Sequence, residues 1–171
     1  MIRDIVVYPD KRLKLISKTV EVFDKTLHTL LDDMYETMCA KNGVGLAAIQ
    51  VGVPLRVLII NVPSDEGEGE QPKENTLEII NPQILWKEGV EKFQEGCLSI
   101  PGVYEEIERS KRVKITYVDR EGTPQEIEDD DFLAIALQHE IDHLDGKVFI
   151  EKLSYIKRKK FEKEWKKREK K

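Results

Sequence analysis

Residues 132–146 run FLAIALQHEIDHLDG, a helix with apolar side chains on nearly every face. A helix of that kind is buried on all sides, at the centre of a domain rather than on its surface. Asp129, Asp130 and Asp131 offer acidic capping at its start, and Gly146 is placed to end it. Within it, His139 and His143 stand at i and i+4, on one face, where both imidazoles can reach a single metal ion. Glu140 sits beside what would be the open coordination position. The chain has three histidines and two are here. Two buried, unpaired imidazoles would be costly, so a shared ligand explains them better than coincidence. The third, His28, next to Leu27 in another helical segment, reads as structural.

Short strands and one further helix surround this element. Leu27, Leu30, Leu31, Met34 and Met38 recur at helical spacing over residues 26–40, with Asp24 as N-cap. Asn42 to Gly45 breaks that helix. Strands are expected at Leu55 to Val62, Leu77 to Ile80, Val90 to Phe93, Lys111 to Asp119 and Val148 to Ile150. The turn from Asp119 to Pro124 should close a hairpin. Pro63 to Asn75, rich in Gly, Glu and Pro, reads as an exposed, mobile loop. Without regular βαβ alternation the class is α+β: short, mostly antiparallel strands packed around a buried central helix carrying HExxH, with a C-terminal helix. No repeat or linker divides the 171 residues, so one domain over 1–171 is expected.

Composition excludes several classes. With 40% hydrophobic and 36% charged residues, the chain is neither collagen-like nor wholly disordered. Its apolar runs fall far short of the ~20 residues that span a bilayer. The first residues carry an acid where a signal peptide would be apolar, so a soluble, cytoplasmic protein is expected, with no membrane and no DNA partner. Residues 151–171 carry a net charge of +7 and the rest −12. That asymmetry fits either a solvated helix end or a tail facing a polyanion. Two distant cysteines, Cys39 and Cys97, are no disulfide framework. Cys39, ending an amphipathic segment, reads as a small buried hydrophobe.

A catalytic metal usually takes three protein ligands and one water. No histidine follows His143; Glu162 and Glu164 do, but in a Lys-rich terminal segment. The better candidate lies upstream in EGCLS, residues 95–99, where Gly96 precedes Cys97 at an expected strand end and lets a thiolate approach closely. A third segment, GVGLAAIQ at 43–50, brings two glycines and the neutral amide of Gln50. Alone it reads as a tight turn.

Together, in this order and spacing, GxGLAAxQ at 43–50, EGCLS at 95–99 and HExDHLxG at 139–146 resemble the peptide deformylase family. The similarity runs from Tyr8-Pro9 to the end of the HExxH helix. It implies removal of the N-formyl group from the N-terminal methionine of newly synthesised proteins, releasing formate. It further implies that Cys97, His139 and His143 hold one divalent metal, usually iron(II), with nickel, cobalt or zinc able to substitute. Glu140 would be the general base, and the Gln50 amide and Leu98 backbone N–H would stabilise the charge that develops on the formyl oxygen. Backbone groups of Val44 and Gly45 would pair with the extended formyl-methionyl peptide. The basic C-terminal helix, 152–171, looks like that of the bacterial type that docks on the ribosome.

Helical spacing places Phe132, Ile135 and Ala136 toward the same region as His139, where they either line a methionine pocket or pack the core. Leu153, Ile156, Phe161 and Trp165 fall on roughly one side of the last helix. A metallopeptidase using Glu162 or Glu164 would leave EGCLS unexplained. A degenerate binding module would be expected to lack Glu140, Gln50 or a ligand, and none is missing.

Overall fold

The computed structural model describes residues 1–64 and 69–170; of the loop expected at Pro63 to Asn75, residues 65–68 lie outside the described residues. Asp24 caps the first helix, α1 (Lys25–Ala40), by accepting a hydrogen bond from the Leu27 N–H at 3.1 Å. Its buried face is the expected row of Leu27, Leu30, Leu31, Met34 and Met38. Three strands follow: β1 (Gly45–Ala47), β2 (Val57–Ile60) and β3 (Leu77–Glu88). Next come β4 (Glu91–Cys97), β5 (Ile100–Arg109), β6 (Arg112–Val118) and β7 (Pro124–Asp129). The chain ends in α2 (Phe132–Leu144) and α3 (Tyr155–Glu169).

Five strands form one antiparallel sheet in the order β1-β2-β3-β6-β7, while β4 and β5 pair with each other. The period-two alternation of strands sorts the core. Leu46, Val57, Ile59 and Ile80 pack with α1, whereas Ala47, Leu58, Ile60, Ile79 and Ile115 pack with Ala134, Leu137, Ile141 and Leu144 of α2. The sheet therefore separates the two helices. On its far side α2 bonds the β4–β5 pair: Gln138 accepts from Ser110 N–H at 3.0 Å, and Arg109 reaches Asp142 at 2.9 Å. The HExxH helix is thus enclosed on two sides, as its all-round apolar pattern requires. Asp129 receives the Asp131 and Ala134 N–H groups at 2.9 and 3.0 Å, and Gly146, at φ +75°, ends the turn after the helix.

Several expectations change. β3 runs well past Ile80, because a shift in register between Ile80 and Gln83 absorbs Asn81 and Pro82 as a bulge. β5 was not expected; its strand alternation buries Ile107 and Arg109 on one face beneath a glutamate-rich surface. Val148 to Ile150 forms no strand. Glu151 accepts from the Val148 N–H at 2.7 Å, and Phe149–Lys152 winds as a 3-10 turn that buries Phe149 and Ile150. Phe161 and Trp165 of α3 pack beside Tyr8, but Ile156 points outward at 80% exposure. The loop's return leg is also tied down, with Gln71 and Pro72 half-buried.

Candidate active site

Both HExxH imidazoles project from α2 toward the end of β4. The Cys97 sulfur lies 3.4 Å from His143 Nε2, and the ligand atoms of Cys97, His139 and His143 all fall within 4.8 Å of one another. Among the described residues this is the donor group that converges. Glu162, the alternative from sequence, pairs with Arg158 and Lys159 instead. Cys39 is half-buried against the α1 core, and His28 Nε2 lies 2.9 Å from the Arg120 carbonyl oxygen, so both serve packing.

The surroundings favour a cation. His139 Nδ1 is 2.8 Å from Glu95 Oε1, so the imidazole donates there and leaves its Nε2 for the cluster. Burial works against protonating His139, yet Cys97, Glu95 and Glu140 around it hold its pKa well above the ordinary value. Burial drives His143 well below, with the charges of His139 and Arg109 adding to the effect. A divalent ion held by the three donors would meet the same surroundings that favour a proton on His139. A thiol with two imidazoles is a donor set for Fe, Ni, Co or Zn.

Glu140 is 5% exposed, and burial pushes its carboxyl up to about 7. Its Oε1 lies 3.6 Å from His139 Nε2, and its Oε2 is buried with no hydrogen-bond partner among the described residues. Gly45 makes room for it: a Cβ there would sit 3.1 Å from Glu140 Cγ. Gln50 accepts the Ala47 N–H at 2.9 Å, while its Nε2 donates to Ser99 Oγ at 3.1 Å and toward Cys97 Sγ at 3.5 Å. One amide proton therefore faces the cluster.

A cavity of about 980 Å³ opens over these groups. Apart from His143, its walls include the residues that the family resemblance and the helical spacing gave to the site: Val44, Gly45, Gln50, Cys97, Leu98, Phe132, Ile135, Ala136, His139 and Glu140. His143 is fully buried. Phe93, whose ring centroid is 5.3 Å from that of Phe132, and Tyr104 line it too and were missed.

Sequence reasoning also missed Arg109, and it gave Glu95 no role. Arg109 grips Glu95 through two bonds, of 2.5 and 2.9 Å, and Asp142 through a third. Burial alone would raise the Glu95 pKa, but His139 and Arg109 hold it below the ordinary value. The chain Arg109–Glu95–His139 fixes the imidazole's tautomer and direction. An arginine inside an acidic strand leaves no local signal; its partners Glu95 and Asp142 lie 14 and 33 residues away. With side chains 2% and 5% exposed, Arg109→Leu strands a buried carboxylate and should cost about 3–5 kcal/mol, read from the urea midpoint. A loss below about 1 kcal/mol would mean the pair carries little.

Fold and site together define a class: an α+β protein whose HExxH helix and upstream cysteine converge on a candidate metal centre. A sequence profile of the polypeptide deformylase family matches residues 2–159. The chain is 58% identical over 164 residues to a peptide deformylase of Nautilia profundicola, covering 96% of this chain and 93% of that protein. It is 59% identical over 165 residues to that of Wolinella succinogenes, covering 96% of each. The crystal structure of a peptide deformylase from Legionella pneumophila superposes with TM-score 0.89 at 43% identity, over 99% of this chain and 96% of that one. That from Ehrlichia chaffeensis in complex with actinonin gives 0.89 at 45% identity, over 99% of each. The chain belongs to the polypeptide deformylase family and is an enzyme of that type.

Proposed function

We propose that this enzyme removes the formyl group from the N-terminal methionine of newly made polypeptides, releasing formate, with iron(II) as its working metal. The observation that carries the reading is the convergence of Cys97, His139 and His143 beside a buried Glu140, with Cys97, His139 and Glu140 in the cavity wall. A divalent metal held by those three residues would polarise the formyl oxygen and lower the pKa of a water from about 15.7 to about 7.

Glu140 takes the proton of the attacking water at its unpartnered Oε2 and later delivers it to the leaving amine. As the formyl carbon becomes tetrahedral its oxygen gains charge. The Gln50 Nε2 proton and the Leu98 backbone N–H meet that charge, each worth about 3–4 kcal/mol in comparable hydrolases. Phe132, Ile135 and Ala136 surround the methionine side chain. β1 is an edge strand with β2 as its neighbour. Asn61 N–H bonds the Val44 carbonyl at 2.8 Å, so strand alternation turns the polar groups of Gly45 to the open edge, where an extended peptide adds like another strand.

Incubation with formyl-Met-Ala-Ser should yield one formate per peptide and the intact tripeptide. Cleavage at an internal peptide bond instead would favour the metallopeptidase reading.

No described helix is long and apolar enough to cross a membrane. The proposal places the enzyme in the cytoplasm, on ribosomes, as one catalytic domain over 1–171 whose last helix touches the ribosome. Lys160, Lys163, Lys166 and Lys167 are exposed, whereas Phe161 and Trp165 are buried. Truncating at 157 would therefore open the core, and charge removal is the cleaner test. Changing the four lysines to glutamine should weaken ribosome binding and flatten its salt dependence, by about 0.7–0.9 log units for each phosphate no longer neutralised. Hydrolysis of short peptides should be unchanged. Unaltered ribosome affinity would refute the docking role of this helix.

A further inference from the structure

Behind the strand edge assigned to substrate stands a residue that no step of the reaction uses. Gln71 lies on the return leg of the loop after β2. Its Nε2 donates to the Gly43 carbonyl at 2.9 Å and to the Asn61 carbonyl at 2.7 Å. Both partners only accept, so the amide can present only its NH2 to them. The backbone carbonyl of Gln71 in turn accepts from the Tyr35 hydroxyl, on α1, at 2.7 Å.

Other bonds fasten the same leg. Asn61, 1% exposed, donates through its side chain to Pro72 O and Thr76 Oγ1, both at 2.9 Å, while its backbone holds Val44. Lys73 reaches Asp32 of α1 at 3.3 Å and lies over the Tyr35 ring. Residues 71–76 thereby join α1, the end of β2 and the turn that feeds β1. At the same turn, a Cβ on Gly43 would come within 2.8 Å of Leu98 Cδ1. Gly43 therefore packs closely on the Leu98 side chain and is held by the Gln71 amide, two residues before the Gly45 edge.

We propose that Gln71 is a positioning residue for peptide binding: acting through Gly43, its amide sets the depth at which β1 presents its open edge to the substrate backbone. The inference rests on the deformylase reading. Because it concerns backbone pairing, its effect grows with the length of peptide that follows the methionine. The general base on α2, and the metal ligands on α2 and at the end of β4, are left in place.

The test compares kcat and KM of the metal-loaded enzyme on formyl-Met-Ala-Ser and on formyl-methionine amide, which offers a single residue of backbone. Gln71→Leu removes two hydrogen bonds and should raise KM for the tripeptide about tenfold, with kcat held within about threefold and a much smaller change for the amide. Tyr35→Phe, nearly isosteric, should shift the tripeptide KM in the same direction by a smaller factor. Equal losses on both substrates, or unchanged KM values alongside a lowered melting temperature, would overturn the proposal and leave Gln71 a purely structural residue. Inactive wild-type enzyme on both substrates would instead overturn the deformylase reading itself.

Discussion

The Glu140→Ala variant is expected to keep one equivalent of metal and to lose about 10²–10⁴-fold in formate release. Metal retention follows because the donors are Cys97, His139 and His143, and the Glu140 carboxylate only neighbours them, 3.6 Å from His139 Nε2. The loss follows from environment. A buried carboxyl raised to about 7 can both take and return a proton near neutral pH, which an exposed carboxylate near its ordinary pKa does poorly. Alanine leaves a space beside Gly45 that water can fill, but that water is a far weaker base. Metal analysis and a formate assay on the same preparation read both halves. Turnover within a few-fold of wild type would remove Glu140 from its role.

Cys97→Ser should abolish iron-dependent turnover by weakening the metal itself. Partners that merely orient a ligand command about 10–100-fold in metal affinity, so removing a ligand should exceed that. A serine hydroxyl stays protonated at neutral pH and is a harder, weaker donor. X-ray absorption on the loaded proteins should find one sulfur neighbour in the wild type and none in the variant. Full activity with stoichiometric metal would refute the ligand assignment.

How far the sequence carried depended on whether a feature is local. Helices α1 and α2 were readable because their apolar spacing, Asp24 and Gly146 all lie within a few residues of the elements they define. The site was readable because its three motifs are short and chemically unusual: two histidines on an apolar helix, a Gly-Cys at a strand end, and a glutamine after paired glycines. What stayed hidden depends on distant partners. β5 hides under glutamates since, after Ile100 at its start, only Ile107 and Arg109 are buried, and Arg109 gains meaning only from Glu95 and Asp142. The expected strand stops at Ile80, whereas pairing with β6 carries β3 on past Asn81 and Pro82 through a bulge. Val148 to Ile150 has strand composition, but its burial against Phe161 and Trp165 needs no ladder partner. Gln71 looked like loop because its partners, Gly43 and Tyr35, lie 28 and 36 residues away.

The most direct measurement is formate release from formyl-Met-Ala-Ser by protein purified without oxygen, stripped with chelator and reloaded with iron(II) or nickel(II). Fast release that the chelator abolishes and either metal restores is the predicted result. An iron centre on a cysteine thiolate should also lose activity in air. Folded protein that carries one equivalent of metal and yet releases no formate would contradict the account.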